Sequence, residues 1–496
     1  MQRLSALDAS FLYGETPETP MHVAGLGVFD PPPDGRNPYE AFRAHIGERL
    51  HLLPFFHRKL ALSPIQLDHP VWIEDEAVDL DYHIRHLALP TPGSDEQLRK
   101  LVAQLHMMLL DRDRPLWRYY VIEGLQGGRF AIYTKMHHAG IDGGAGMAAL
   151  ETIFSATPEP PAVPPPPPRK KEAPPNIFEL ISDSYAHFFN QQRQFFESWP
   201  DIGKALASAS RRLVENAQQT PALSAAPKTI FNTRLSSQRS FGTCSLSLAE
   251  AKAVGKAVNA KLNDVVMTIS AGALRRYLQQ RDALPAEPLI TAVPVSLREA
   301  GNADMNNQVT VMMVRLHTEI ADPIERLKAI VGSAQESKGW LGDFKDVLPR
   351  DVSWFGAPII ITGMARMLGQ PNVPDNLPPI MNVLISNVPG PRTPMYCAGA
   401  RMLEYYPVSI PAHGSVLNIT VQSYVDRLDF GLIGCGQAVP DINTLTGFLV
   451  LEFEALKHAV LGGQTASAEP AAAAEPTPPP RSKSRAKREE RPAAGG

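Results

Sequence analysis

Cysteine is scarce in this chain. Only Cys244, Cys397 and Cys435 occur in 496 residues, scattered and odd in number. That argues against a disulfide framework and suits a reducing compartment. Long apolar runs are missing too, and without a stretch of ~18 or more apolar residues no membrane-spanning helix is expected. The first residues, Met1-Gln2-Arg3-Leu4-Ser5, lack the apolar core and cleavage site of a secretory signal, so the expected location is cytoplasmic. Neither sign of charge is in large excess. The net charge is -3, and the 465–496 tail holds six Lys/Arg against four Glu. The body is therefore slightly acidic, and nucleic acid is not an expected partner. Also absent are a GxSxG elbow, a CxxC pair and a Walker loop. Gly434-Cys435-Gly436 lies in a strand-like context with no cue for thiol activation.

What is present has the balance of a globular protein, 20% charged and 44% hydrophobic, and is long enough for two domains that each bury a core. Five prolines in a row, Pro164 to Pro168, mark a linker, because no sheet or helix interior accepts them. The expected division is residues 1–156, a linker with amphipathic connecting helices over 157–230, a second domain over 231–462, and a disordered Ala/Pro/basic tail over 463–496. The connector carries a stripe of Phe178, Ile181, Tyr185, Phe188, Phe195 and Trp199. Asn190, Gln191 and Gln192 interrupt it and no Lys/Arg-rich face accompanies it, so packing on the body is expected over a bilayer-surface role.

The chemistry-bearing stretch is Lys135-Met136-His137-His138-Ala139-Gly140-Ile141-Asp142-Gly143-Gly144. Phe130 to His138 alternates as a strand, so His138 shares a face with Ile132 and Met136 while His137 shares the other with Tyr133 and Lys135. Adjacent strand residues do not readily chelate one ion, and no second His stands at i+4, so no metal is expected. Acid–base chemistry fits better. A neutral imidazole with a reference pKa near ~6.5 takes a proton from a hydroxyl at physiological pH, and that role falls to His138. The glycines after it let the chain turn and bring Asp142 back beneath the ring or into an ion pair that fixes the loop. The alternative is a buried, hydrogen-bonded histidine before an ordinary turn.

Around this strand the periodicity predicts a hairpin with Arg118 to Glu123, turning at Gly124 to Gly128. Asn37 is expected to cap a helix from Tyr39 to about Leu52, and Ser94-Asp95-Glu96-Gln97 to open one with Leu98, Leu101, Val102, Leu105 and Leu109 inward. Strands are expected at Val71 to Ile73 and Leu80 to Leu87. In the second half Asn263 stands at a natural N-cap position for a helix running to about Gln280, and a closing helix spans about Asn443 to Val460.

His137-His138-Ala139-Gly140-Ile141-Asp142-Gly143 is similar to the HHxxxDG signature of CoA-dependent acyltransferases related to chloramphenicol acetyltransferase and condensation domains. Leu7-Asp8-Ala9-Ser10-Phe11-Leu12, Pro20-Met21-His22, Pro115-Leu116-Trp117, Asn263-Asp264-Val265-Val266, Pro294-Val295-Ser296-Leu297-Arg298 and Asn387-Val388-Pro389-Gly390-Pro391 resemble, in order, motifs of the bacterial wax ester synthase/acyl-CoA:diacylglycerol acyltransferase family. The resemblance implies an α/β fold of two chloramphenicol-acetyltransferase-like domains, each a mixed sheet flanked by helices, with a channel between them. It implies acyl transfer from acyl-CoA to diacylglycerol or a fatty alcohol, with acyl-CoA as substrate and no separate cofactor. His138 would be the general base, His137 its partner in the motif and Asp142 the organiser of the loop with Gly143. Asn263 and Asp264 would lie near the channel, and Arg298 would pair with Asp142. Peripheral contact with the membrane or a lipid inclusion is a further expectation. The alternatives are a condensation-type or polyketide-ester acyltransferase and a non-catalytic lipid-inclusion coat protein.

Overall fold

The computed structural model describes residues 2–62, 69–141, 143–166, 226–296, 309–344, 357–371 and 373–462, with seven further positions between 178 and 193. Asp142, Arg298 and the 463–496 tail lie outside the described residues.

Along the chain the strands are β1 (Gln2–Arg3), β2 (His22–Phe29), β3 (Arg58–Ala61), β4 (Val71–Glu74), β5 (Ile84–Ala88), β6 (Trp117–Glu123), β7 (Phe130–His137), β8 (Arg239–Ser247), β9 (Ile290–Ser296), β10 (Val309–Arg315), β11 (Val383–Val388), β12 (Tyr396–Cys397), β13 (Ala400–Val408), β14 (Leu417–Tyr424) and β15 (Arg427–Cys435). They form two six-stranded sheets, ordered β12-β13-β2-β7-β6-β5 and β10-β9-β11-β14-β15-β8, and a small sheet β1-β4-β3. Both large sheets are mixed: β5 runs parallel to β6, and β11 parallel to β9 and β14. The expected hairpin is present, β6 pairing antiparallel with β7. All eight residues of β7 are buried, as a strand does when neighbours flank it and layers cover both faces. His137 therefore ends the most enclosed strand of its sheet.

Sheet membership crosses the two halves of the sequence. β13, from the second half, pairs with β2 over Met402–Val408, with a bulge between Met402 and Glu404. Gly25 makes this possible, because a Cβ there would stand 1.9 Å from the Tyr405 hydroxyl. Gly431 of β15 is equally constrained: its Cβ would lie 1.8 Å from the Pro407 carbonyl oxygen. Leu26, Tyr133, Phe241, Tyr406 and Ile433 then close one apolar cluster drawn from both halves.

Helices Leu262–Gln279, Pro323–Phe344 and Ile442–Lys457 share the core of the second sheet. Glu452, buried among them, accepts from both Arg276 and Arg326. In the first half, Ser94 and Gln97 make both bonds of the expected capping box on helix Asp95–Met107. Asn37 caps helix Pro38–Arg49 through Glu40 N.

Four expectations change. Leu80 to Leu87 is not one strand: Asp79 accepts from Asp81 N and Tyr82 N, winding a single helical turn over Leu80–His83 before β5 begins. Asn263 is not the N-cap. That position is Lys261, whose N–H is taken by the Asp264 carboxylate at 2.9 Å, so Asn263 lies inside the first turn. Leu109 is 41% exposed because its helix stops at Met107. In the connector, Phe178 is 79% and Tyr185 46% exposed, so packing on the body does not bury that part of the stripe. Phe188, Phe195 and Trp199 lie outside the described residues.

Candidate active site

The first helix, Ala6–Gly14, is capped by Ser5, whose hydroxyl accepts Asp8 N at 3.0 Å and donates to the Asp8 carboxylate at 2.7 Å. The helix presents Phe11 to His138, and the two rings stack with centroids 4.1 Å apart and an 11° angle between planes. His138 follows the last residue of β7, is half-buried, and donates its backbone N–H to Met21 O at 2.9 Å. Leu12, Leu116 and Ala139 form an apolar cluster beside it, with Phe11, Tyr13 and Trp72 packed on.

His137 faces the other way, as the alternation requires, and is 1% exposed. Its Nδ1 accepts from Ala139 N at 3.0 Å, which leaves the ring proton on Nε2. That Nε2 lies 3.2 Å from Glu15 Oε2. His22, directly opposite His137 in the β2–β7 register, places its own Nε2 at 3.2 Å from the same oxygen. Both approaches have ion-pair length but fall outside straight hydrogen-bond geometry. Arg112 donates to Glu15 Oε1 at 2.9 Å, and Met21 N donates to Oε2 at 3.2 Å. Burial alone would raise the Glu15 carboxyl, but the close His137 and His22 rings outweigh that and hold it well below the usual carboxylate range.

Deeper in the same face, Lys135 is fully buried and donates to Leu105 O at 2.8 Å and to Met108 O. Burial, with Arg118 adding repulsion, pulls its ammonium down to about 7. Burial likewise lowers His22 to about 4, against the pull of Glu15. His106 donates from Nε2 to Ser409 O at 3.0 Å and accepts the Tyr133 hydroxyl at 2.7 Å, tying this polar pocket to the other half of the chain.

Glu15, His22 and His137 bring three possible ligand atoms within 4.8 Å of one another, the one such group found among the described residues. Its chemistry opposes a divalent ion. A metal-bound imidazole normally donates its other N–H, whereas His137 accepts at Nδ1, and the Arg112 and Lys135 cations bear on the same carboxylate.

Gly143 opens helix Gly143–Ile153. Asp264 is buried and occupied by its helix-end bond, and Asn263 is half-buried beside it. Trp117 is a packing residue, donating to Phe56 O at 3.0 Å and stacked on His83. The Pro389–Pro391 turn is pinned to the end of β14, Gly390 N donating to Ser423 Oγ at 3.0 Å. Sequence reading assigned no role to Glu15 and none to His22 beyond its motif; the β2–β7 pairing that sets His22 opposite His137, and the end of the first helix that brings Glu15 to both, are the missing signals.

Comparison with known families decides the rest. Residues 4–266 match the wax ester synthase/diacylglycerol acyltransferase catalytic domain, and residues 305–457 match the C-terminal domain of the same family. The chain belongs to this family, and it is an acyltransferase. A probable diacylglycerol O-acyltransferase of Mycobacterium tuberculosis is 38% identical over 91% of this chain and 98% of its own. An O-acyltransferase WSD of Acinetobacter baylyi is 33% identical, covering 92% and 96%. The solved wax ester synthase/diacylglycerol acyltransferase of Marinobacter aquaeolei VT8 superposes with a TM-score of 0.64 at 31% identity, covering 92% of this chain and all of that one. The first condensation domain of the calcium-dependent antibiotic synthetase, with a TM-score of 0.55 at 14% identity, shares the fold. In this wax ester synthase/diacylglycerol acyltransferase family member, the HHxxxDG histidines thus sit where the first helix, β2 and β7 converge.

Proposed function

We propose that this chain moves a fatty acyl group from acyl-CoA to diacylglycerol, to a long-chain alcohol, or to both, with His138 as general base and no covalent acyl-enzyme. The supporting observation is the His138 ring: half-buried, stacked flat on Phe11 and bordered by apolar side chains, it is set apart from the charged pocket that holds His137.

In this reading the imidazole takes the acceptor hydroxyl proton as the oxygen attacks the thioester carbonyl carbon. The tetrahedral oxyanion collapses, the carbon–sulfur bond breaks, and the imidazolium returns the proton to the CoA thiolate. A positioned base of this kind contributes about 10²–10⁴-fold. Asp142 organises the loop after the strand, and Gly143 lets the helix start there. In the same reading Asn263 and Asp264 lie near the acyl channel, and Arg298 is the ion-pair partner assigned to Asp142. The reaction needs no cofactor beyond the acyl-CoA substrate, and burial worth ~0.8 kcal/mol per CH₂ explains a greasy acyl path.

Lipid substrates bring the protein to a membrane or lipid-inclusion surface. The contact in this reading is peripheral, and no described helix is long and apolar enough to cross a bilayer. The exposed Phe178 and Tyr185 supply apolar area for it.

The test is CoA release from palmitoyl-CoA, followed with a thiol reagent, with hexadecanol or diacylglycerol as acceptor. Acceptor-dependent turnover that disappears in His138→Ala is the expected result. Turnover only with carrier-bound acyl groups, or lipid binding with no turnover by the intact protein, would overturn it.

A further inference from the structure

One carboxylate oxygen anchors the backbone on both sides of His138. Glu15 Oε2 accepts Met21 N at 3.2 Å, and Met21 O in turn accepts His138 N at 2.9 Å. The same Oε2 lies 3.2 Å from His137 Nε2, and His137 Nδ1 accepts Ala139 N at 3.0 Å. The residue at the proposed base and the one after it are therefore both held through Glu15. The second oxygen extends the arrangement to the stacking partner of the ring. Oε1 takes Arg112 Nη2 at 2.9 Å, and the same Nη2 donates to Leu12 O at 2.7 Å, beside Phe11 in the first helix.

We propose that Glu15 is the positioning residue of the active site, setting the His137 tautomer and, through it and Met21, the placement of the His138 ring. This rests on the assignment of His138 as general base. A carboxylate with its side chain only 3% exposed is expensive to keep unless several partners hold it, and here Met21 and His137 lead to the turn at His138 while Arg112 leads to the first helix.

The chemistry of a neutral replacement makes the role specific. In Glu15→Gln the amide has two placements: with its oxygen at the Oε2 position it still accepts Met21 N but turns its N–H₂ on Arg112, and with its N–H₂ there it meets both Met21 N and the proton-bearing Nε2 of His137. In the second placement, relief at the ring requires moving the His137 proton from Nε2 to Nδ1. An Nδ1–H cannot accept Ala139 N–H, so the bond directly after His138 is lost. Glu15→Asp keeps the charge and the tautomer while pulling the oxygens back by one methylene.

The experiment is steady-state CoA release by the full chain with palmitoyl-CoA and hexadecanol, for wild type, Glu15→Gln, Glu15→Asp, His137→Ala and the Glu15→Gln/His137→Ala double variant. Expected are a kcat at least tenfold lower in Glu15→Gln, KM values for both substrates within twofold of wild type, and partial recovery in Glu15→Asp. The double variant should be no more than about twofold slower than His137→Ala alone, because both changes cut one route. Wild-type kcat in folded Glu15→Gln, a loss carried by KM, or multiplied losses in the double variant would overturn the proposal. Should Glu15→Gln not fold, Glu15→Asp carries the same comparison: wild-type kcat, or losses multiplied with His137→Ala, would overturn it. A parallel His138→Ala separates the two readings. Turnover retained there sinks the base assignment, whereas a dead His138→Ala with an unimpaired Glu15→Gln sinks only the role of Glu15.

Discussion

The ring of Phe11 lies flat on the imidazole of His138, with 4.1 Å between centroids and 11° between planes. The contact joins the first helix to the end of β7, so the orientation of the proposed base depends on a residue more than a hundred positions earlier in the chain. Backbone bonding fixes where His138 starts, at Met21 O, and the stack limits how its ring turns.

Removing the stack should therefore impair turnover without emptying the site of its base. Phe11→Ala is expected to lower kcat about tenfold, a part of the roughly 10²–10⁴-fold a positioned base supplies. Phe11→Leu, which keeps apolar cover but no flat face, should fall between that variant and wild type. Equal kcat in all three, in the CoA-release assay, would show that the ring needs no support from this side.

The buried His22 predicts an acid-sensitive fold. Its folded pKa, lowered to about 4 by burial, lies below the ordinary 6.5, so between those values the unfolded chain binds more protons than the folded one. Stability accordingly drops as pH falls from 6.5 to 4, by up to about 3 kcal/mol for this group at 1.36 kcal/mol per unit. His45 and His83, also lowered to about 4, add to the slope, so the test is differential. Between pH 7 and pH 4.5 the urea midpoint of His22→Gln should move less than that of wild type; identical shifts would refute the assignment.

Gly25 and Tyr405 form a second testable pair. A Cβ at Gly25 would sit 1.9 Å from the Tyr405 hydroxyl and 2.3 Å from its ring carbon, so Gly25→Ala must displace the ring that seats β13 on β2. Overpacking of this kind destabilises by about 1–3 kcal/mol. The penalty should shrink when Tyr405 is first changed to Ala, and denaturant melts of the four proteins measure it. Additive losses would mean that the penalty does not arise from the ring.

Much of the first sheet was legible in the sequence because its signals are local. The β6–β7 hairpin, the Asn37 cap and the Ser94–Gln97 capping box each depend on residues within a few positions of one another. The opposed faces of His137 and of Ile132 and Met136 followed from strand alternation alone. What sequence reading missed is long-range or decided by one competing hydrogen bond. The seating of β13 beside β2 pairs residues nearly four hundred positions apart, and no local pattern announces it. Asp79 and Asp264 each redirected a helix start by taking nearby backbone N–H groups. Glu15 was invisible for the same reason as β13: it ends the first helix, and its partners come from β2, β7 and the segment after helix Asp95–Met107.

The connector supplies the last test. Phe178 is 79% exposed and Tyr185 46%, and burying aromatic area in the headgroup region recovers roughly 25 cal/mol per Å² of apolar surface. A change of Phe178→Ser with Tyr185→Ser removes that contribution while leaving the first helix, β2 and β7 untouched. Co-sedimentation with phosphatidylglycerol-containing vesicles should fall several-fold in the double variant. Turnover on diacylglycerol presented in those vesicles should fall with it, while turnover on a short-chain alcohol dissolved in water stays at the wild-type rate. Vesicle binding at the wild-type level would move the lipid-contacting face elsewhere on the chain; loss of both activities together would mean instead that the connector supports the catalytic body.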